Sequence, residues 1–359
     1  MRKQSPETSI LSLPYDLLLN CLARVSILYH PTLSLVSKKF RSVVASPKFY
    51  ETRSLLNRTE SCLYLCLRHY AADTSTYWFS LRGKPNRIGS SGNRFTPIPS
   101  PHLRPEESTS VVAVGSNIYM IGGGYTPPSS SRVSVLDCRL NTWHSAPVMR
   151  EKRSCPAASV VDGKIYVAGG CDDPSSENWV EVFEPKTQTW GNVTNPGTQG
   201  IGVVSFGIEG KLYLIIGDEE VVYDPKEASW NPIGLDADMA SAVSFFYGVI
   251  GDVMFLWIDG GFQWYDRKSS SWKELNGVGD LPDIGGHCNM VDLGGKMAVL
   301  WESYLDGDGH IEETFIWCAE ITLERRNEDE MWGDVEWCGV VLTSHDSCLL
   351  DAVVVSATV

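Results

Sequence analysis

The sequence predicts a mainly β chain, in which a six-bladed β-propeller follows a small α-helical unit. The first 60 residues place apolar side chains at helical spacing, whereas the rest forms short β-branched and aromatic runs separated by Gly, Pro, Ser and Asp. Within this second part, a sequence unit recurs about every 40 to 50 residues. Short strands in a regularly repeated unit are typical of propeller blades.

Two short amphipathic segments make up the helical part. The first begins near Pro14, which a helix tolerates in its first turn, and the second follows Pro31 and ends near Pro47. The apolar stripe of the first segment has a 3.6-residue period and consists of Leu13, Leu17, Leu18, Cys21, Leu22 and Val25. Such short helices bury too little apolar surface to be stable alone. Their apolar face therefore requires a partner, which is either the rest of this chain or another protein.

One strand position recurs five times in the β part. Its occurrences are 47, 47, 41 and 44 residues apart, and they are Ile118, Ile165, Leu212, Val253 and Met297. The first four copies also carry an acidic residue six positions before a tryptophan: Asp137 and Trp143, Glu184 and Trp190, Asp224 and Trp230, and Asp266 and Trp272. We predict that each copy is one four-stranded blade and that its tryptophan fills the wedge between adjacent sheets.

The five copies and one further region account for six blades. The region from Cys62 to Pro99 has three strand-like runs but no leading strand, while the C-terminal run Leu349 to Val355 resembles the leading strand Val111 to Val114. We therefore expect the C-terminal run to complete the first blade and to close the ring without an exposed edge. The last blade, around Gly285 to Val341, carries a long insertion.

The charge distribution indicates two modules and disfavours several functions. The chain has a formal net charge of −14, yet residues 1–60 carry nine basic and four acidic side chains, so the acidity lies in the remainder. This acidity would repel a phosphate backbone, so we expect no nucleic-acid partner. We expect no membrane partner, because no apolar stretch is long enough to span a bilayer. No secretory signal opens the chain, and we expect reduced cysteines and a location in the cytoplasm and/or nucleus.

The sequence contains no catalytic or metal-binding pattern that we can identify. Its seven histidines have no partner at ligand spacing, and neither a nucleophile elbow nor a phosphate-binding Gly-rich loop is found. We therefore expect a chain that is not an enzyme, with no catalytic residue, no metal and no cofactor. A propeller oxidase, which would need converging Tyr and His ligands for copper, stays open as an alternative.

Two sets of motifs resemble known families. The glycine pairs Gly122-Gly123 and Gly169-Gly170, together with the acid-to-tryptophan interval, resemble kelch repeats. The segments from Ser12 to Leu18 and from Leu35 to Arg41 resemble an F-box, with Phe40 where that family usually carries tryptophan. The order of the two motif sets is that of the plant F-box/kelch-repeat proteins.

This resemblance implies a domain organisation. It implies a flexible N-terminus at residues 1–8, F-box helices at 9–55, and a six-bladed kelch-type β-propeller at 56–359 that the C-terminal strand closes. A stand-alone kelch scaffold, in which the helices form a structural cap, is the other alternative that the sequence leaves open.

The resemblance also implies a function, as the substrate-recognition adaptor subunit of a Skp-cullin-F-box ubiquitin ligase. The helices would bind a Skp-type adaptor protein and, through it, the cullin. The propeller loops would bind an unknown target protein for ubiquitination and proteasomal degradation. The adaptor-binding residues that the resemblance implies are Leu13, Pro14, Leu17, Leu22, Val25, Leu35, Val36, Lys38, Phe40 and Arg41.

Several loops are candidates for target binding. Arg150 and Arg153 lie in a connection between predicted blades, where they would either bind a carboxylate or phosphate group of the target or be solvated charges or form salt bridges to neighbouring blades. The acidic stretch from Glu320 to Glu336 is expected to be a solvated hairpin. The other candidate loops are Tyr125 to Arg132, Cys171 to Asn178, and Tyr304 to Glu313.

Overall fold

The computed structural model describes residues 10–26, 29–56, 58, 60–69, 76–81, 95–98, 110–123, 129–198, 202–233, 247–285, 288–307, 310–344 and 347–356. The chain divides into two compact units: Met1–Ser61 with Ser356–Val359, and Cys62–Val355. We call them the helical unit and the propeller unit. The predicted flexible segment at 1–8 lies outside the described residues.

The described residues of the helical unit include a 3-10 turn and four short helices. They are the turn Ile10–Ser12, α1 (Tyr15–Ala23), α2 (His30–Val36), α3 (Lys38–Val44) and α4 (Pro47–Leu55). Helix α3 begins at Ser37, whose side-chain oxygen accepts a hydrogen bond from the Phe40 backbone N–H at 3.0 Å. Helix α4 begins with Pro47, which lacks the N–H that the first turn of a helix leaves unbonded.

The helical unit has its own apolar core. Helices α1, α3 and α4 supply its buried side chains, which are Leu18, Leu19, Leu22, Ala23, Phe40, Val43, Val44, Phe49 and Tyr50. The spacing of the α1 members places them on one face of the helix. The unit buries Leu18 and Leu22 of the stripe predicted from the sequence, whereas Leu17 and Cys21 of the same stripe are exposed.

The buried side chain of Arg53 joins α4 to the segment after α1. Its Nη1 donates hydrogen bonds to the Ala23 carbonyl at 3.0 Å and to the Val25 carbonyl, and its Nη2 lies 3.2 Å from Glu60 Oε2. Ser26 Oγ donates to the same carboxylate oxygen at 3.1 Å. A buried guanidinium is tolerated here because a carboxylate and backbone carbonyls compensate its charge.

The propeller unit is a ring of six four-stranded blades. The first three are β24 (Ser347–Ser356), β1 (Ser61–His69), β2 (Thr76–Leu81) and β3 (Phe95–Ile98); β4 (Ser110–Val114), β5 (Asn117–Ile121), β6 (Val133–Asp137) and β7 (Thr142–Ser145); and β8 (Ala157–Val161), β9 (Lys164–Ala168), β10 (Val180–Glu184) and β11 (Thr189–Val193).

The other three blades follow in chain order. They are β12 (Val203–Ile208), β13 (Lys211–Ile216), β14 (Glu219–Asp224) and β15 (Ser229–Pro232); β16 (Tyr247–Ile250), β17 (Val253–Ile258), β18 (Gly261–Asp266) and β19 (Ser271–Asn276); and β20 (Cys288–Asp292), β21 (Met297–Gly307), β22 (His310–Arg325) and β23 (Met331–Ser344). The predicted six-bladed fold is confirmed, and β24 lies beside β1 as the fourth strand of the first blade.

Two pairings tie separate parts of the chain together. Strand β24 comes from the C-terminal end and pairs with β1, which removes a free edge from the first blade. Strand β23 runs parallel to β19, with Leu275 opposite Met331 and Asn276 opposite Trp332. The fifth and sixth blades consequently form one eight-stranded sheet, which the long β22–β23 hairpin makes possible.

The landmark tryptophans pack against the preceding blade, as predicted. Trp143 lies 6.0 Å from Trp78 of the first blade, measured between ring centroids. The indole N–H of Trp190 donates to the Pro147 carbonyl at 2.8 Å, and that of Trp230 donates to the Thr194 carbonyl at 2.6 Å. The indoles of Trp190 and Trp230 thus pack between blades and also bond the chain segment that leaves the previous blade, whereas the indole nitrogen of Trp143 has no hydrogen-bond partner among the described residues.

The glycine pairs occupy backbone conformations that suit glycine. Gly122 and Gly123 have φ angles of 72° and 143°, and Gly169 and Gly170 have 69° and 71°. At Gly170 a Cβ atom would overlap the Ser154 carbonyl oxygen and lie 3.0 Å from the Pro156 nitrogen. The connection into the third blade passes so close to this strand end that no larger residue fits.

Candidate partner-binding surfaces

Several apolar side chains of the helical unit remain exposed although its core is filled. Leu17 is 56% exposed, Leu35 79% and Val36 59%. Leu17 projects from α1 on the side opposite to the buried face, whereas Leu35 and Val36 end α2, just before the Ser37 cap of α3. Large apolar side chains this exposed in a small unit are typical of a surface that a partner covers.

The 3-10 turn extends this exposed apolar surface. The Lys39 ammonium donates hydrogen bonds to the carbonyls of Leu11 at 2.8 Å and Leu13 at 3.2 Å, which holds the turn beside the junction of α2 and α3. Leu11 and Ile10 are exposed there. We call the following residues the exposed surface of the helical unit: Ile10, Leu11, Pro14, Leu17, Leu35, Val36, Lys38 and Arg41.

The ten predicted adaptor-binding residues fall into two groups. Leu22 and Phe40 are buried in the core of the helical unit, and Leu13 and Val25 are partly buried. The exposed ones are Pro14, Leu17, Leu35, Val36, Lys38 and Arg41. Leu22 and Phe40 therefore support the surface from inside rather than form part of it, because the stripe that carries them faces the other helices. Contact of the exposed group with an adaptor stays a prediction.

Sequence reasoning did not include five exposed apolar residues of this unit, which are Ile10, Leu11, Tyr15, Tyr29 and Leu55. Ile10 and Leu11 lie in the 3-10 turn, and Tyr29 precedes α2. The adjacent Ile10-Leu11 pair just before the Leu13-Pro14 motif was the available signal for the turn. Arg41, which belongs to the exposed surface, donates a hydrogen bond from its Nε to the Ser34 carbonyl at 3.2 Å, and its side chain stays exposed.

In the propeller unit, Arg153 lies in the interior and does not line an open loop surface. Its Nη1 donates to the carbonyls of Gly169 at 2.6 Å and Trp179 at 3.0 Å, and its Nη2 lies 2.9 Å from Glu181 Oε1. Both charged side chains are fully buried. This corrects the target-binding prediction for Arg153, because its side chain is fully buried and its Nη1 and Nη2 groups bond backbone carbonyls and one carboxylate of the third blade.

Arg150 remains exposed but is also bonded to the third blade. Its guanidinium donates to the Trp190 carbonyl at 3.1 Å and to the Asn192 side-chain oxygen. Its backbone N–H donates to Glu181 Oε2 at 2.9 Å. Both arginines thus bond the third blade, as one of the alternatives drawn from the sequence had it. Arg153 has no exposed surface left for a target, whereas Arg150 is exposed, so target binding by Arg150 stays a prediction.

The candidate loops differ in how much of them the structure describes. Residues 125–128 of the first predicted loop lie outside the described residues. In the second loop, Asp173 Oδ1 accepts hydrogen bonds from the Ser175 N–H at 2.8 Å and from its hydroxyl at 2.7 Å, so this loop is ordered by its own side chains. In the third, Tyr304 and Leu305 at the end of β21 are exposed.

The acidic stretch forms a hairpin, as predicted, and its turn is held by basic side chains of the fifth blade. Lys268 lies 2.6 Å from Glu328, and Lys273 lies 2.6 Å from Asp329. Lys273 also lies 2.6 Å from Asp266, which holds the pKa of the Asp266 carboxyl well below its usual range. The hairpin of the sixth blade is therefore joined to the fifth blade by solvent-exposed salt bridges.

The described residues show neither a metal cluster nor a spanning helix. Across the described ranges, no group of three or more His, Cys, Asp or Glu side chains is placed to hold a metal ion. Within the same ranges, no helix has the length and apolar character needed to cross a membrane. None of the cysteines whose side chains are described forms a disulfide.

Comparison with known proteins assigns both units to families. Residues 10–52 match the F-box domain model, and residues 78–342 match the FKB95 kelch-repeats domain model. Two relatives are an F-box/kelch-repeat protein and a putative F-box/kelch-repeat protein of Arabidopsis thaliana, each 50% identical. The first alignment covers 96% of this chain and 89% of the relative, and the second covers 94% and 90%.

A solved structure supports the fold independently of close sequence similarity. The structure of YjhT matches with a TM-score of 0.50 at 13% identity, over 73% of this chain and 91% of that one. At this identity the match concerns the fold alone. With one F-box model, one kelch-repeat model that matches most of the chain, and relatives that share both, this chain belongs to the F-box/kelch-repeat family of plants.

Proposed function

We propose that this chain is the substrate-recognition subunit of a Skp-cullin-F-box ubiquitin ligase, which presents a target protein for ubiquitination and proteasomal degradation. The combination of an F-box with kelch repeats supports such an adaptor role at the level of the family. In the finer form that we propose, the exposed surface of the helical unit binds the Skp-type adaptor, and loops of the propeller unit bind the target.

The observation that carries this proposal is the exposure of Leu17, Leu35 and Val36 beside a completed core. Burying one such side chain at an interface contributes about 1.5–3 kcal/mol, so a few of them suffice for a stable complex. Lys38 and Arg41 are exposed close to Leu35 and Val36 in the chain and add positive charge at the rim. An acidic face on the adaptor would complement this charge.

The proposed mechanism is proximity and requires no catalytic residue in this chain. Binding a target on the propeller and the adaptor on the F-box raises the effective concentration of target lysines near the enzyme that carries ubiquitin. The chain then acts through two binding surfaces. It would work in the cytoplasm or nucleus, because the cysteines whose side chains are described form no disulfide and suit a reducing compartment.

The test is capture of a purified Skp-type adaptor by the full chain. We expect Leu35→Asp combined with Val36→Asp to weaken adaptor binding by about 100-fold or more, because two charges would enter an apolar interface. Leu55→Asp is the matched control: Leu55 is 86% exposed on α4, outside the exposed surface defined above. It should bind as tightly as the wild type.

Two outcomes would contradict the proposal. The wild-type chain could fail to bind any Skp-type adaptor, which would favour a stand-alone kelch scaffold. Alternatively, the double variant could bind with wild-type affinity, which would move the interface elsewhere. Far-UV circular dichroism of each variant shows whether the helical unit is still folded, since both changes are at exposed positions.

A further inference from the structure

The six inner strands of the propeller unit enclose a central channel. Its volume is about 520 Å³, and its walls come from β4, β8, β12, β16, β20 and β24. Volumes of this size are typical of small-molecule sites, which are mostly apolar and contain a few polar groups. The channel is therefore large enough for a small molecule and too small for a folded partner.

One charged side chain lies in this wall. Among the described lining residues, Asp351 on β24 is the only one with a formal charge. The other titratable lining residues are Tyr247 on β16 and Cys288 on β20, whose pKa values burial raises to about 12, so both are neutral at physiological pH. The described lining residues of β4, β8 and β12 contain no titratable side chain.

Asp351 differs from three other shielded charged groups, because each of those has a partner of opposite charge. Glu181 is paired with Arg153, Asp266 with Lys273, and Arg53 with Glu60. No basic side chain is found within the described channel wall, so the Asp351 carboxylate lacks a counter-charge there. Shielding from bulk water without a counter-charge raises its pKa to about 7.

The wall also offers hydrogen-bonding groups. Asn289 on β20 lines the channel, and its side-chain Nδ2 has no hydrogen-bond partner among the described residues. The Tyr247 hydroxyl donates to the Ser205 carbonyl at 3.0 Å, which leaves its oxygen able to accept a hydrogen bond. A cation that carries N–H groups could donate hydrogen bonds to the Asp351 carboxylate and to the Tyr247 oxygen, whereas Asn289 Nδ2 is itself a donor and would need an acceptor.

We propose that the central channel binds a small organic cation, whose N–H groups donate hydrogen bonds to the Asp351 carboxylate. The apolar walls contributed by Val111, Val204 and Val249 would enclose the hydrocarbon part of such a molecule. This site is separate from adaptor binding by the helical unit and does not depend on it.

The experiment measures binding of butylammonium to the full chain by saturation-transfer NMR, with 1-butanol and butyrate as neutral and anionic probes of similar size. We expect butylammonium to bind and both other probes to bind more weakly. Asp351→Asn should weaken butylammonium binding by about tenfold or more, because a charged hydrogen bond is lost. Asp334→Asn, which removes an exposed acid on β23, should leave binding unchanged.

A pH series of the wild-type protein tests the same claim without any variant. Only the ionised carboxylate attracts the cation, so affinity should rise by about tenfold between about pH 6 and pH 8 if the pKa is near 7. The proposal is wrong if butanol binds as tightly as butylammonium, if no probe binds, or if the folded Asp351→Asn variant keeps wild-type affinity. Thermal unfolding of that variant verifies that it is folded.

Discussion

Arg153 and Glu181 form a fully buried ion pair, with 2.9 Å between the arginine Nη2 and the glutamate Oε1. Arg153 lies in the connection from β7 to β8, whereas Glu181 lies on β10. Glu181 also accepts hydrogen bonds from the backbone N–H groups of Arg150 at 2.9 Å and Glu151 at 3.2 Å. One carboxylate thus bonds three residues of the connection between the second and third blades: Arg150, Glu151 and Arg153.

Loss of the Arg153 side chain should destabilise the propeller unit strongly. Arg153→Ala leaves the Glu181 carboxylate buried without its counter-charge, and we expect unfolding to become easier by about 3–5 kcal/mol. Arg150→Ala, at an exposed position in the same connection, should cost at most about 1 kcal/mol. Urea unfolding followed by tryptophan fluorescence provides both values. Equal midpoints for the two variants would contradict the structural role of the pair.

Two glycines with similar backbone angles should respond differently to alanine. Gly170 has a φ of 71° and faces the Ser154 carbonyl oxygen, whereas Gly163 has a φ of 75° and no atom within 4 Å of the added Cβ. Gly163→Ala should lower the free energy of unfolding only by the cost of the left-handed backbone conformation, about 1 kcal/mol. Gly170→Ala must also displace backbone, so its unfolding midpoint should fall further. Similar midpoints would show that the connection into the third blade can move aside.

Substitution of a core leucine of α1 should lower stability, whereas substitution of a surface leucine of the same helix should weaken adaptor binding. Leu22 is buried in the helical core, and Leu22→Ala should reduce the stability of that unit by about 2–5 kcal/mol. Leu17 is exposed, so Leu17→Ala should change stability by about 0.5 kcal/mol or less while it weakens adaptor binding. Thermal unfolding followed by helical circular dichroism, together with adaptor capture, distinguishes the two effects. A destabilised Leu17→Ala variant would contradict the described orientation of α1.

The buried His30 should make the helical unit sensitive to mild acid. Burial first, and the nearby Arg53 charge second, lower the pKa of His30 to about 4. The unfolded chain binds a proton below about pH 6.5 while the folded unit does not, so stability is lost as the pH falls from about 6.5 to 4.

The size of this effect is on the order of 3 kcal/mol for a shift of this extent. His30→Phe keeps an aromatic ring against Phe49, whose centroid lies 5.0 Å from that of His30, and removes the titration. We expect the variant to show a flatter dependence of unfolding temperature on pH in this window. If its pH dependence equals that of the wild type, His30 is not the responsible group.

Much of the fold could be predicted because its signals are local and repeated. The acid-to-tryptophan interval marked four blades, and the helical periodicity marked α1. The last blade was harder, since β22 and β23 extend into a long hairpin whose tryptophans replace a single landmark. The parallel pairing of Leu275 with Met331 was not predicted, because nothing in either segment specifies a partner about 50 residues away.

The binding surfaces were predicted less completely than the fold. Periodicity identifies an apolar face of a helix but does not say what covers that face. Leu22 and Leu17 therefore looked alike in the sequence, although one is in the core and the other is exposed. Asp351 carried no sequence signal, since its neighbours in the channel come from five other blades.

The sequence by itself determined the two-module organisation, the family, the number of blades and the role of the glycine pairs and landmark tryptophans. The repeats and their landmarks depend on spacing within about 50 residues, whereas the sixth blade depended on the resemblance of the C-terminal run Leu349 to Val355 to Val111 to Val114. Only the tertiary structure decided that Arg153 is buried against Glu181, that Phe40 belongs to a core, and that Asp351 lies in a channel whose described lining residues include no basic side chain. Burial and electrostatic environment depend on which segments meet in the folded chain, and spacing along the sequence does not specify those contacts.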